Sequence, residues 1–530
     1  MKIRLLIISL ILLGAYSCGS HQKKLEEKYG LKEKKEKPKT KHVPTLAEIF
    51  SQTILSEDLS KYVYKLADTL LDGRETGTRG ANKAAEYIKE WMQEQKMLYP
   101  DILEGFYQQY TVTQNKKPDV ILQTEDNVYH FGKDFISFFP HDSIDLNDDE
   151  IIFVGYGIDD KKYNDYAFRD VKGKIVLVIG GEPRDSYGNY IISNEVHPMT
   201  GRPMPSVWST DPLRTYFLRR NAAMRHGAKV MLYYDPYFKN YYWKNYKKYF
   251  EDSNIEVSVR RDSIYDFLIN KDIFSDITGY DRPEDMHYTK KTRKLDVPID
   301  ITYRNNSDIR NAKNVIGILE GDPKSDEFVV VITHYDGQGR SRGVVYPSAN
   351  DNASGVAASF EIAEAFNVAK DSGFVPRRHI VFINFAGKEQ DMIGSRFYIS
   401  HPVVPIDKTV AVIELHKLGR IRAKKASEIV DFFPIDVSFD GFDKEGFLKQ
   451  MNHLQSYNYH ITLKPKTLTE HSDFFYFMKR HIPIIYFSGG YFDEFHSPDD
   501  TAENVSYEVL EQRTRFIFQV IWKLAFQKKI

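Results

Sequence analysis

A chain of 530 residues exceeds what one ordinary hydrophobic core spans, so two domains and a tether are expected. Its 73 Lys and Arg against 74 Asp and Glu leave a formal charge of −1. That balance excludes nucleic acid as the main partner, because phosphate binding needs a basic excess. A single cysteine excludes any disulfide within the chain.

Lys2 and Arg4 precede an apolar run, Leu5 to Leu13, which is too short to span a bilayer. Ala15-Tyr16-Ser17-Cys18 follows. A plain signal peptide with an incidental cysteine is one reading. A lipoprotein signal over residues 1–18, with Cys18 lipidated as the mature N-terminus, is the stronger one. The segment resembles a bacterial lipobox, although Ala15 and Tyr16 depart from its commonest residues. It implies a protein of the cell envelope, on the periplasmic or cell-surface side, touching the membrane through lipid alone. Residues 19–45 are dense in Lys and Glu and cannot bury a core, so they read as a solvated tether.

Residues 46–111 open the main domain, and Leu46 to Met97 reads as helices. Leu59, Val63, Leu66 and Leu70 recur at helical spacing. Gly73, Gly77 and Gly80 interrupt the pattern and predict a loop with unusual backbone angles. A helix resumes over Ala81 to Met92, with Ala84, Ala85, Ile88 and Trp91 on one face.

Residues 112–303 predict a β-rich module of short alternating strands: Val120–Gln123, Val128–Phe131, Ile151–Tyr156 and Ile175–Ile179. Ala222 to Tyr234 reads as a helix end, a cap at Gly227 and a strand. The aromatic and basic run from Tyr237 to Phe250 suits either a binding patch or an amphipathic packed segment.

Residues 304–530 turn to an α/β pattern. Strands at Val315–Leu319, Phe328–Thr333, Ile380–Phe385, Val410–Leu415 and Ile484–Phe487 alternate with helical stretches, including Gly355 to Ala365. The pattern predicts a mostly parallel or mixed central sheet flanked by helices. A His-x-Asp pair after a strand, as at His334 and Asp336, is usually a satisfied loop. Here Asp351, Glu389, His416 and His496 follow later elements, where ligands gather in open α/β sheets. Imidazoles and carboxylates without thiolate suit zinc in a hydrolytic site. A carboxylate such as Asp351 can bridge two metals roughly 3.5–4 Å apart.

Four motifs together carry a resemblance: His334-x-Asp336, Asn350-Asp351-Asn352-Ala353-Ser354-Gly355, Gly394-Ser395, and His496-Ser497-x-x-Asp500-Thr501. The chain resembles the co-catalytic zinc aminopeptidases, the family of bacterial leucyl aminopeptidase, aminopeptidase Y, glutamate carboxypeptidase and the transferrin receptor. Gly73-Arg74 and the following helix look like the family's start. Phe153–Gly157 and Val171–Ile175 look like an inserted protease-associated domain. The resemblance implies that Asp351 bridges two zinc ions, with a cis bond to Asn352. His334 and the residue at 416 would hold one zinc, Glu389 and His496 the other. Asp336 would orient His334, and a metal-activated water would attack the N-terminal peptide bond of a peptide or protein substrate.

Two positions depart from the family. Its acidic pair is Glu-Glu, general base then ligand, where this chain has Lys388-Glu389. Its fifth ligand is an Asp in an Asp-Met-x-Gly run, where this chain has His416-Lys417-Leu418-Gly419. Three carboxylate ligands and a carboxylate base are thus replaced by Asp351 and Glu389, offset by Lys388. A charged lysine accepts no proton and repels metal, so impaired turnover and a weak second zinc, or only one, are expected. A Lys388 made neutral beside zinc could still act as base. Gln390 offers no carboxylate, and Asp391 is expected on a following helix, pointing elsewhere. Three readings stand: a lipid-anchored zinc exopeptidase, a binding or scaffold protein on the same fold, and a mononuclear zinc acyltransferase like glutaminyl cyclase.

Overall fold

The structure is a computed structural model. It describes residues 43–528 except 140, 149, 194, 237–253, 258–263, 283–292, 422–433, 442, 444, 447, 448, 450, 452–461 and 466–471. Cys18, the signal segment, the tether up to residue 42 and the run 237–250 lie outside the described residues. The chain forms two compact units, one built from residues up to Val112 and from Arg310 onward, the other from Thr113 to Ile309. The return comes later than residue 303 because strand Ile299–Arg304 still pairs on both edges inside the second unit.

The first unit is a mixed α/β sheet with helices on its faces. Strands Phe328–His334, His379–Phe385, Thr409–His416 and Ile484–Ser488 run parallel. Asp308–Leu319 pairs antiparallel with His379–Phe385 on one side. Pro434–Asp440 pairs antiparallel with Ile484–Ser488 on the other. Each of the first three parallel strands is an apolar run buried along almost its whole length, as expected where helices cover both faces. Val330, Ile332, Val381, Ile383 and Phe385 pack with Tyr398, Phe474 and Phe477 on one face.

Helices Ser56–Leu66, Ser354–Asp371 and Tyr507–Phe526 pack against one another in the same unit. Ser354–Asp371 is buried nearly all round, and its alanines let neighbours approach closely. Phe360 lies flat on Trp91, with ring centroids 3.8 Å apart. Gly355 is required at the helix start, because a Cβ there would sit 2.6 Å from the Leu415 carbonyl oxygen. The early helices span Leu46–Ser51, Ser56–Leu66 and Arg79–Glu94. Leu59, Val63 and Leu66 are buried, but Leu70 is 74% exposed. The helix stops at Leu66, and Leu70 falls in the Thr69–Arg74 turn, whose Asp72 and Gly73 have positive φ.

In the second unit, Asp119–Gln123 and Val128–His130 alternate as expected and belong to a four-stranded antiparallel sheet. Ile151–Gly155, Ile175–Ile179, Val230–Tyr234 and Tyr265–Ile269 do not alternate. They run parallel in a six-stranded sheet and are buried on both faces, so this half of the unit is α/β in character. Helix Pro212–Arg225 ends at a C-cap on His226, and Gly227 follows with φ +79°.

One buried cation ties the first unit together beneath the sheet's carboxyl edge. Arg74 is fully buried and donates to the carbonyls of Tyr335 (2.7 Å), Pro347 (2.8 Å), Ser348 (2.8 Å) and Leu66. Tyr335 follows the strand that carries His334, and Ser348 precedes the turn that carries Asp351. Replacing Arg74 with Met leaves these buried acceptors unpaired, each costing about 1–3 kcal/mol. We expect chemical denaturation to show Arg74→Met destabilised by at least about 3 kcal/mol; a change within experimental error would contradict this role.

Candidate metal centre

Each predicted ligand sits at or just beyond a strand end. His334 and His416 are the last residues of neighbouring parallel strands. Glu389 follows the strand His379–Phe385 in a turn. Asp351 lies in the tight turn Ala349–Ala353 ahead of the long helix, and the Asp351–Asn352 peptide is cis. His496 comes from the loop after Ile484–Ser488 and has φ +54°.

The turn is held from every side. Asp500 accepts from the Asn350 N–H (2.8 Å) and the Asp351 N–H (3.1 Å). The Asn352 amide donates to Thr333 Oγ1 (2.7 Å) and the Leu415 carbonyl (3.0 Å), and its oxygen accepts from the Lys417 N–H (2.9 Å). Asn350 Oδ1 accepts from the Gly419 N–H at 2.7 Å. These bonds stitch the turn to the ends of two strands and fix where Asp351 points.

The Asp351 carboxylate is the hub. Its Oδ1 lies 2.9 Å from His416 Nε2 and 3.3 Å from His334 Nε2, and its Oδ2 lies 3.5 Å from His496 Nε2. His496 Nε2 is also 3.0 Å from Glu389 Oε2. Two overlapping groups result, His334–Asp351–His416 and Asp351–Glu389–His496, each with ligand atoms within 4.8 Å of one another. His334 Nε2 and Asp351 Oδ2 are buried and lack a hydrogen-bonding geometry to any partner. Orphaned buried atoms of these types, in an all-imidazole and carboxylate set, fit a zinc-type ion.

The surrounding contacts orient the ligands. His416 Nδ1 lies 2.7 Å from the Tyr486 hydroxyl, which leaves Nε2 facing Asp351. Asp336 orients His334 through its backbone carbonyl, 3.2 Å from Nδ1. Its carboxylate also lies 3.5 Å from Nδ1, and it accepts from the backbone N–H groups of Lys388 (3.2 Å) and Glu389 (3.1 Å) and from Thr76 Oγ1 (3.3 Å). Asp336 therefore fixes the acidic loop as well as the histidine. Lys388 Nζ is 2.8 Å from Glu389 Oε1, and the Gln338 amide donates to Glu389 Oε2. Asp391 is exposed, in a turn just before helix Ile393–Ser400 and not on a helix.

The sequence reading passed over Tyr486, Thr76 and Gln338. No spacing marks them, because each reaches the site from a separate element. Arg74 was visible in a glycine-rich stretch and, with Gly73, as a likeness to the family's start.

Burial opposes charge on every ligand, and the neighbours decide the outcome. Burial pushes Glu389 up, but Lys388 and His496 outweigh it and hold the carboxyl at about 2. Burial likewise pushes Asp351 up, and Lys388 with the imidazoles holds it well below its usual range. Burial pushes His334 down, while Asp336 and Asp351 lift it to about 10. The same opposition leaves His496 at about 9, raised by Asp351 and Glu389. His416 goes the other way, kept neutral by burial and by Lys417.

Residues 314–521 match the model of peptidase family M28. A probable glutamate carboxypeptidase of Arabidopsis thaliana is 31% identical over 101 residues, 19% of this chain and 14% of that protein. A probable zinc metalloprotease of Pyricularia oryzae is 40% identical over 89 residues, 16% of each chain. The chain thus matches only a small part of these relatives' lengths. Among solved structures, an aminopeptidase from Aneurinibacillus sp. strain AM-1 aligns over 92% of this chain and 97% of its own, at 16% identity and a TM-score of 0.46. A zinc aminopeptidase from Bacillus subtilis aligns over 90% and 96%, at 18% identity and a TM-score of 0.44.

Without metal, His334 and His496 carry protons at neutral pH, and an imidazole must lose its proton to bind an ion. Zinc binding at pH 7 should therefore release protons from these rings, and apparent affinity should rise as pH climbs toward 9. Calorimetric titration in buffers of different ionisation enthalpy checks this. Affinity that is flat between pH 6 and 8 would contradict it.

Proposed function

We propose, on the premise that residues 314–521 are a peptidase family M28 domain, that this protein is a zinc-dependent peptidase slowed at its base position. The observation that carries the reading is the pair of ligand groups sharing Asp351. His334, Asp351 and His416 would hold one ion. Asp351, Glu389 and His496 supply a second set. A bound zinc would supply Lewis acidity and lower the pKa of a water.

The remaining work falls to the chain. Asp500 and the two asparagines hold Asp351 in place, and Tyr486 fixes the His416 ring. Asp336 grips the backbone of Lys388 and Glu389 and so sets the position from which a base would act. That base position carries an ammonium. Burial pushes Lys388 down, but Asp351, Glu389 and Asp336 raise it above its usual value. Lys388 thus accepts no proton, and it already neutralises the carboxylate that the second set needs. We infer that the His334–Asp351–His416 set is the occupied one, and that loss of a general base slows turnover by about 10²–10⁴-fold.

The Lys388–Glu389 contact also favours a second reading, a protein that keeps the peptidase fold and its metal as a binding scaffold. The second unit we read as protease-associated in type, on the Phe153–Gly157 and Val171–Ile175 segments. Lipid anchoring through Cys18 in a bacterial envelope is our reading of residues 1–18, supported by the positive start, short apolar run and cysteine. Among the described residues no helix is long and apolar enough to cross a membrane.

Metal analysis and aminoacyl chromogenic substrates, applied to the wild type and to Lys388→Glu, test the reading. We expect about one zinc per chain in the wild type and two in the variant, with activity gained in the variant by at least about 10²-fold, the lower range of general-base catalysis. A wild type that turns over as fast as the variant would mean that another group is the base. If both stay silent while zinc binds, the scaffold reading replaces the peptidase one.

A further inference from the structure

The second unit carries an apolar surface that the metal centre does not use. Between strand Ile175–Ile179 and helix Pro212–Arg225 the chain makes a long excursion with two tight turns. Arg184 bridges to Tyr190 across the first, and Val196 to Pro203 across the second. At their tips Tyr187 is 88% exposed and Met199 89%, with Val196 at 56%. Ile191, between the turns, is exposed as well. A connection this long with so little regular structure is usually functional, and clustered exposed apolar side chains mark a contact surface.

The excursion is held in one shape. At its base Glu182 is buried and accepts from the Ser206 N–H (2.7 Å), Ser206 Oγ (2.6 Å) and Ser209 Oγ. The fully buried Arg219 donates to the carbonyls of Tyr156 (2.7 Å), Trp208 (3.0 Å) and Gly181. Ile192 and Trp208 pack with Ile158 beneath it. In the first turn Asp185 accepts from the N–H groups of Tyr187 and Asn189, both at 2.8 Å, and the Arg184 guanidinium lies 4.1 Å from the centre of the Tyr190 ring. In the second, the His197 N–H donates to the Arg202 carbonyl and the Met204 N–H to the Glu195 carbonyl, both at 2.8 Å. Tyr187 and Met199 are thus displayed on fixed backbone and do not fold back onto the protein.

Shape and charge say what suits them. A side chain left almost wholly exposed stands proud of the surface, and a protein partner needs a pocket matched to each tip. A fluid hydrocarbon layer moulds itself to any convex shape. From residue 183 to 205 the charged side chains are Arg184, Asp185, Glu195 and Arg202, two of each sign, so no net charge opposes approach to lipid headgroups. Tyrosine, with an apolar ring and a polar end, is suited to headgroup depth. Residues 19–42, even fully extended, reach less than about 90 Å from Cys18. A lipid on Cys18 therefore keeps the chain beside a bilayer, where a weak contact is strengthened by proximity.

We propose that Tyr187, Val196 and Met199 insert into a lipid bilayer and give this protein a membrane contact besides its anchor. The standing presence of the bilayer rests on the lipid-anchor reading of Cys18; the contact itself rests on the exposure and bracing of the two tips.

The test uses the full chain purified in detergent and reconstituted into vesicles of phosphatidylethanolamine and phosphatidylglycerol. Tyr187→Trp and Met199→Trp place a reporter at each tip, and Phe168→Trp places one on an exposed side chain elsewhere in the same unit. These positions are on the surface, so the substitutions leave the fold intact. Emission of the wild type, which has four tryptophans, is subtracted. When the vesicles carry brominated acyl chains, we expect both tip reporters to lose most of their added emission and the Phe168→Trp reporter to keep it. Adding Val196→Asp and Met199→Asp to Tyr187→Trp should relieve the quenching, because a carboxylate resists entry into hydrocarbon. Unquenched tips overturn the proposal, as does equal quenching of Phe168→Trp or quenching that survives the two aspartates. Tip emission that shifts only as protein concentration rises, with or without vesicles, assigns the surface to a second copy and also overturns it. Mass analysis of Cys18 in the same sample reads the anchor separately. Quenched tips on a chain with unmodified Cys18 keep this proposal and lose the lipid-anchor reading; lipidated Cys18 with unquenched tips does the reverse.

Discussion

A single buried carboxylate sets the terms for this molecule. Asp351 is almost without solvent access, and three imidazoles from three different elements close on its two oxygens. Removing a charge from water costs several kcal/mol even after relaxation, so the surroundings must supply compensating charge. Much of the first unit's architecture serves that need. Parallel strands deliver His334 and His416 at one edge, and Asp500 neutralises the backbone N–H groups of the turn. The asparagines on either side of Asp351 convert the turn into part of the sheet's end. Gly355 lets the helix begin against Leu415 with no side chain between them.

The same constraint gives Lys388 its meaning. Two buried carboxylates need cationic partners, and the Lys388 ammonium held against Glu389 is one supplied by the chain itself. A metal ion and a lysine are alternative solutions to one electrostatic problem. The chain uses the lysine on the Glu389 side and leaves imidazole nitrogens and a carboxylate oxygen on the Asp351 side. On the reading proposed above, that division leaves most of a zinc peptidase's ligand types in place with an ammonium where a base would act.

The strands of the first unit were legible because apolar runs buried on both faces leave a continuous signature, as in Phe328–Ile332. The same signature occurs at Ile175–Ile179, where the expected alternation fails, because a short apolar run does not reveal whether one face or two are covered. Leu70 continued a helical spacing past the point where the backbone turned, and it lies exposed in the turn. Spacing records what a segment could bury and does not record where a cap ends it.

The residue order alone showed the imidazoles and carboxylates, their succession along the chain and a lysine, Lys388, ahead of Glu389. Each is a matter of residue identity after a recognisable strand. Only the tertiary structure decided that Asp351 lies within reach of three histidines at once, and that Arg74 ties the His334 strand to the turn that carries it. It alone assigned the Asp336 carboxylate to the backbone of the acidic loop. The physical reason is common to all three. Electrostatic and hydrogen-bonding roles depend on distances of a few ångströms between residues far apart in the chain, and those distances exist only once the strands have paired and the helices have packed over them.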